Sequence, residues 1–206
     1  MPDSYTTVLE YGKFEYEDRK SVFIGEALPV SCEAEAVSFI ESCKKRYPDA
    51  KHHVYAYVLR ENSTMRFTDD REPQGTAGMP VLDTIRKKSC TDVVIVVTRY
   101  FGGTLLGTGG LVHAYTAAAV GALESAKIIT YDVYAQVEIR VGYSDYQRLG
   151  NLFSDTDFRV ADTDYSDDIF IKGSIKSTAF DGFCDKLTEL TAGRVKAEKL
   201  GEKYEF

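Results

Sequence analysis

Residues Asp92 to Thr98 read DVVIVVT, and RYFGGTLLGTGGLVHAY follows them directly from Arg99 to Tyr115. A short, unbroken, β-branched run predicts a strand buried on both faces, because only a covered strand can place successive side chains on apolar neighbours at either side. Beyond the glycines, Leu111, Tyr115, Ala118 and Ala122, beside Val112, Ala119, Leu123 and Ala126, recur at helical spacing and predict a helix with a broad apolar face. The chain must therefore pass from a central strand through a glycine loop into a helix that covers the sheet. Five of the 16 glycines sit in that passage, each at a cost in folding entropy, so the loop calls for a physical reason.

The rest of the chain divides around this unit. Val22 to Val30 predicts a strand. Ser31 is placed to cap a helix to Tyr47, with Glu33 and Glu35 in its first turn and Val37, Ile40, Cys43 and Tyr47 on one face. His53 to Leu59 predicts a strand, with a hairpin partner at Arg66 to Thr68. Pro80 suits the first position of a helix that ends with Arg86, Lys87 and Lys88. From Thr130 the pattern starts afresh. Strands at Tyr131 to Val141, Phe158 to Thr163, Ile169 to Ser174 and Arg194 to Leu200, with helices at Ser144 to Ser154 and Thr178 to Ala192, spell βαββαβ, the ferredoxin-like order. At 206 residues there is room for two cores, so we expect an α+β protein with domains at 1–129 and 130–206.

Charge limits the partners. Residues 1–129 carry 15 basic and 17 acidic side chains, and 130–206 carry 10 and 15. Neither half is a basic nucleic-acid domain by composition, so any contact with phosphate must be local. The start, MPDSYTTVLEYG, has neither a basic nor an apolar run, and the longest strongly apolar run is Val93 to Val97, so neither a secretion signal nor a membrane span is expected. Cys32, Cys43, Cys90 and Cys184 form no C-x-x-C pair, which fits reduced thiols in the cytoplasm, Cys32 and Cys43 as buried small hydrophobes.

Two stretches carry chemistry. With Thr108 as N-cap, Gly109 and Gly110 would open the helix with unpartnered N–H groups, an anion site strengthened by the helix dipole. Tight packing explains the same residues, with Gly102 and Gly103 making the turn and Gly107 taking positive φ, and both readings stand. No Walker A loop is present, since Thr108 stands where lysine is required, and the dinucleotide fingerprint fails at Val112. The second stretch, Asp69, Asp70 and Glu72 with Pro73, Gly75, Thr76 and Gly78, suits Mg²⁺ beside a phosphate, or simply turns and caps. His52 and His53 alternate across a strand and cannot share a metal, and His52 reads as a hydrogen-bonded structural or surface residue. No catalytic residue, resident metal or cofactor is assigned.

DDREPQGTAGMP, VVIVVTRYFGGTLLGTGGLVHAY and KHHVYAY together resemble the signatures of the YigZ/IMPACT family across most of residues 15–126, and 130–206 resembles the smaller C-terminal domain of its bacterial members. The resemblance implies an N-terminal α/β domain similar to the fourth domain of elongation factor G, a ferredoxin-like second domain similar to its fifth, and a role near translation. Eukaryotic relatives act by protein binding in starvation control of translation. Arg71, Leu105 and His113 stand where the family often has glycine, lysine and arginine. The last two remove cations beside the glycine loop and leave Arg71 and Arg99 to contact phosphate.

Two functions follow. One is a non-enzymatic cytoplasmic module that binds RNA, the ribosome or a regulatory protein through Arg71, Arg99, His113 and the loop Gly102, Gly103, Gly107, Thr108, Gly109 and Gly110. The alternative is a Mg²⁺-dependent enzyme acting on a phosphorylated small molecule or nucleotide, with Asp69, Asp70 or Glu72 as metal ligands. The missing loop lysine and the lack of a recognisable base favour the first.

Overall fold

The structure, a computed structural model, describes residues 4–206. Residues 1–3, at the head of the expected first domain and of the segment read for a signal, lie outside the described residues. The chain forms two compact units, Tyr5–Thr130 and one built on Tyr131–Phe206.

The β-branched run is the middle of the first unit. Its strand, β6 (Val93–Tyr100), lies between β3 (Ser21–Pro29) and β4 (His52–Val58), with β2 (Gly12–Asp18) and β5 (Met65–Thr68) at the edges, in the order β2-β3-β6-β4-β5. Every pairing in this sheet is antiparallel. Val94 and Val96 point to a layer made by α1 (Glu33–Arg46) through Ala36, Phe39, Ile40 and Cys43. Val93, Ile95 and Val97 point to α2 (Gly78–Lys87) and α3 (Gly107–Ser125) on the other face. Helices on both sides explain why β6 shows no polar alternation.

Three expectations shift. In α1 the buried stripe is Ala36, Phe39, Ile40 and Cys43, whereas Val37 is exposed and Tyr47 lies past the helix end. Cys32, not Ser31, is the N-cap and is only half-buried, because the Ser31 N–H and hydroxyl both donate to the Glu35 carboxylate (2.6 and 2.9 Å) and hold Ser31 outside the helix. Pro80 is the third residue of α2, since a capping carboxylate described below starts that helix at Gly78. All four cysteines are free thiols.

The alanine face of α3 lets the helix backbone approach the sheet. A Cβ at Gly25 on β3 would stand 2.3 Å from the Ala118 carbonyl oxygen. Gly25→Ala is therefore expected to push α3 outward and cost about 1–3 kcal/mol, the usual penalty of overpacking. Urea unfolding at constant m checks it, and an unchanged midpoint would refute the close approach.

The second unit follows β7 (Ile128–Val141), α4 (Tyr143–Asp155), β8 (Arg159–Tyr165), β9 (Ile169–Lys176), α5 (Phe180–Thr191) and β10 (Ala197–Glu205). These strands run in the order β8-β9-β7-β10, all antiparallel. Ala135, Val137, Ile139, Ile169, Ile171 and Ile175 face Leu149, Leu152, Phe183 and Leu187 of the two helices. This is the ferredoxin-like arrangement, its core built by period-2 strands against amphipathic helices. Among the described residues no helix is long and apolar enough to cross a membrane.

Candidate functional site

The loop between β5 and α2 doubles back through two residues of positive φ, Asp70 at 39° and Arg71 at 70°. That reversal turns Glu72 inward while Arg71 stays exposed. Glu72 Oε1 accepts from Arg99 Nη1 (2.6 Å) at the end of β6 and from the Tyr115 hydroxyl (2.7 Å) on α3, and it lies 4.0 Å from His52 Nε2 at the start of β4. His52 and Arg99 are direct cross-strand partners, so one face of the sheet presents both to the same carboxylate. Four separate segments thus meet at Glu72.

The cluster is sealed. The Glu72 side chain is 4% exposed and that of Arg99 7%, with the guanidinium 5.3 Å from the Phe23 ring centroid and 5.7 Å from that of Phe101. Burial, then the Glu72 charge, raises the Tyr115 phenol far above its ordinary value, so it stays a protonated donor. His52 Nδ1 donates to the Asp70 carbonyl (2.8 Å), which fixes the ring on that side of the loop. Burial holds His53 below its usual value, and its Nδ1 lies 3.2 Å from the Thr98 hydroxyl on the opposite face from His52.

The acidic stretch is therefore not an open patch. Asp69 Oδ1 accepts from the Ala77 and Gly78 N–H groups (3.1 and 2.8 Å) and Oδ2 from Gly75 N–H (2.9 Å), which caps α2 from a distance. Asp70 accepts from His53 N–H (2.6 Å), and Glu72 is committed as above. Among the described residues no group of three or more His, Cys, Asp or Glu side chains is placed to hold a metal ion. Arg99, expected to meet phosphate, is turned inside by Glu72. Arg71 and His113 are exposed, His113 with Nδ1 3.3 Å from the Tyr16 hydroxyl.

The glycine loop also differs from expectation. Helix α3 begins at Gly107, with Leu106 at the N-cap position and no side-chain cap, so Thr108 is a first-turn residue. Gly110 N–H then returns to the Leu106 carbonyl by helix geometry, and the unpartnered amides are those ahead of it. Gly102 does pack: a Cβ there would lie 2.1 Å from the Lys20 carbonyl carbon, and its N–H donates to Ser21 Oγ (3.1 Å). Gly103 and Gly107 have φ of 86° and 73°, and around these two and Gly109 a Cβ would meet nothing within 4 Å. Gly102 and the partly buried Leu106 anchor the loop, and its outer rim is open.

Sequence reasoning placed Tyr115 on the apolar face of its helix and missed its bond to Glu72, whereas His52, read as a hydrogen-bonded structural or surface residue, is hydrogen-bonded to the Asp70 carbonyl. The signals were present as a lone tyrosine on an alanine-rich helix face and an arginine at the end of a strand that opens with the apolar run Val93 to Val97.

Residues 19–123 match the model of the Impact N-terminal domain, and residues 139–194 match a domain of unknown function. The IMPACT family member YvyE of Bacillus subtilis is 34% identical over 195 residues, 94% of this chain and 90% of that protein. The chain belongs to the IMPACT family. The family member YigZ of Escherichia coli is 29% identical over 98% of both chains. Protein IMPACT of Homo sapiens is 30% identical over 100 residues, 47% of this chain and 31% of its own. A crystal structure of a hypothetical protein superposes with a TM-score of 0.61 at 27% identity, covering 98% of this chain and 99% of that one. The site described above falls inside the matched Impact N-terminal segment.

Proposed function

We propose that this IMPACT family member is a non-enzymatic cytoplasmic module that works in association with translation, presenting the glycine-loop face of its first unit to RNA, the ribosome or a regulatory protein. The observation that carries this reading is the commitment of the polar groups. Asp69, Asp70, Glu72 and Arg99 are spent on backbone N–H groups and on one another, while the loop beside them stands exposed. A Mg²⁺ site for phosphate chemistry needs free carboxylate oxygens, and here both oxygens of Asp69, one of Asp70 and one of Glu72 brace the fold. The four free thiols fit a reducing cytoplasm.

The test is co-sedimentation with purified ribosomes, run beside an assay for Mg²⁺-dependent phosphate release from nucleotides. Binding without turnover is the expected result. Turnover that vanishes in Asp70→Asn, with no ribosome binding, would promote the enzyme. With Arg99 inside, Arg71 and His113 are the expected phosphate contacts that remain exposed, and with so few contacts RNA-driven binding would be shallow in salt, log K falling by about 0.7 per contact per decade.

A further inference from the structure

We infer that β8, the outer strand of the second unit, takes an extended segment of a protein partner as an added strand, with lysine or arginine at alternate positions of that segment facing Asp162 and Asp164. This surface belongs to the second unit and goes beyond the glycine-loop reading. β8 stands last in the order β10-β7-β9-β8, and among the described residues it pairs with β9 alone. Its other edge therefore offers backbone N–H and C=O groups, the template on which a further strand forms. Every side chain from Arg159 to Tyr165 is exposed except Thr163, which is half-buried. Past a bulge between Val160 and Asp162, the register with β9 runs unbroken from Asp162 to Tyr165. Val160 at 48% exposure and Tyr165 at 58% supply apolar surface at the two ends of the strand.

Charge names the occupant. Asp155 to Asp168 holds six aspartates and one arginine, whereas the rest of 130–206 holds nine acidic and nine basic side chains. The whole net charge of that half thus lies on β8 and the turns at its ends. Neighbouring cations leave the strand itself uncompensated. Lys172, directly opposite Asp162, reaches Glu138 (3.6 Å), Arg140 reaches Asp168 (2.6 Å) and Arg159 reaches Glu205 (3.7 Å). Asp162 accepts from the Thr163 N–H (2.9 Å), and among the described residues neither Asp162 nor Asp164 enters an ion pair. Both point to the face away from the helices, because Thr163 and Tyr165 lie opposite the core residues Ile171 and Ile169. Carboxylates two residues apart on one face match a strand with a cation at every second position. Like charges placed opposite each other repel, which rejects a second copy of β8, and a phosphate backbone is rejected by the same sign. The far edge of the sheet shows the contrast. On β10, Lys199 pairs with Glu202 and Lys203 with Glu205 (2.7 and 2.9 Å), so its charges satisfy one another.

The experiment uses the full chain and a fluorescein-labelled nine-residue peptide that alternates lysine and valine. Anisotropy should show binding that the glutamate–valine counterpart lacks. Asp162→Asn combined with Asp164→Asn should weaken it about 2- to 30-fold, the range for two cross-strand charge pairs. The same change of charge at Asp181 and Asp185 on α5 should leave it within about 2-fold. Backbone pairing has its own readout. Of two peptides N-methylated at every lysine or at every valine, one should bind about 10-fold more weakly and the other about as the parent, since only one set of N–H groups faces β8. Equal affinity of the two methylated peptides would show that no strand is added and overturn the inference. Equal weakening by the two pairs of aspartate substitutions, or none by the pair on β8, would overturn the assignment to this edge. No binding of the lysine peptide would overturn it outright, and none of these results bears on the glycine-loop face.

Discussion

Glu72→Ala is expected to lower the unfolding free energy by about 3–5 kcal/mol, the range seen when one partner of a buried ion pair is removed. The loss has two parts. Arg99, 7% exposed between two aromatic rings, keeps its charge but loses its carboxylate. Tyr115, fully buried on α3, loses the acceptor of its hydroxyl. Equilibrium urea unfolding measures the change, and Glu72→Gln separates the parts because the amide oxygen still accepts from Tyr115 while the charge is gone. Replacing the pair together, Glu72→Leu with Arg99→Met, should recover most of the loss, since well-packed apolar residues often match a buried ion pair. A Glu72→Ala protein with the parent's midpoint would mean the cluster is not sealed, and the case for a bracing rather than a catalytic carboxylate would go with it.

What the sequence disclosed follows from range. The DVVIVVT run, the helix after the glycines and the βαββαβ order of the second unit are periodic signals, and periodicity reports burial directly. Strands β1 (Ser4–Val8) and β2 were not legible. In β2, GKFEYED, all six side chains are exposed or half-buried at the sheet edge, and the alternation is only Phe14 and Tyr16 among charged residues, too short to mark a strand. The site was half-legible for a different reason. Its residues lie in the stretches singled out for chemistry, but their directions depend on contacts made between distant segments. Glu72 points inward because Asp70 and Arg71 take positive φ, a conformation that Asp tolerates but that an arginine at position 71 does not advertise. Once Glu72 is inside, Arg99 must follow it, and a cation read as a phosphate contact becomes a structural one. At α3 the glycine at 107 lets the chain enter the helix ahead of Thr108, so the hydroxyl that resembled a cap is not used as one.

The carboxylate three residues before Glu72 acts on a different element, and its removal should be nearly as damaging. Asp69→Ala takes the acceptor from three backbone N–H groups at the start of α2. Gly75 is exposed and can turn to water, but Ala77 and Gly78 are buried, and each orphaned buried donor costs about 1–3 kcal/mol. Gly78 has no room to move away, because a Cβ there would already meet the Thr68 carbonyl oxygen at 2.4 Å. We expect a net loss of about 2–4 kcal/mol, above the ordinary range for a helix cap because one side chain serves both the helix and the loop that delivers Glu72. Asp69→Asn should lose about half as much, since its oxygen can still serve Ala77 and Gly78 while its amide group turns a donor toward Gly75. Hydrogen exchange separates this from general destabilisation. The amides of Ala77 and Gly78 should lose protection in Asp69→Ala well before those of β6, whereas uniform loss across the first unit, or none, would show that α2 does not depend on this cap.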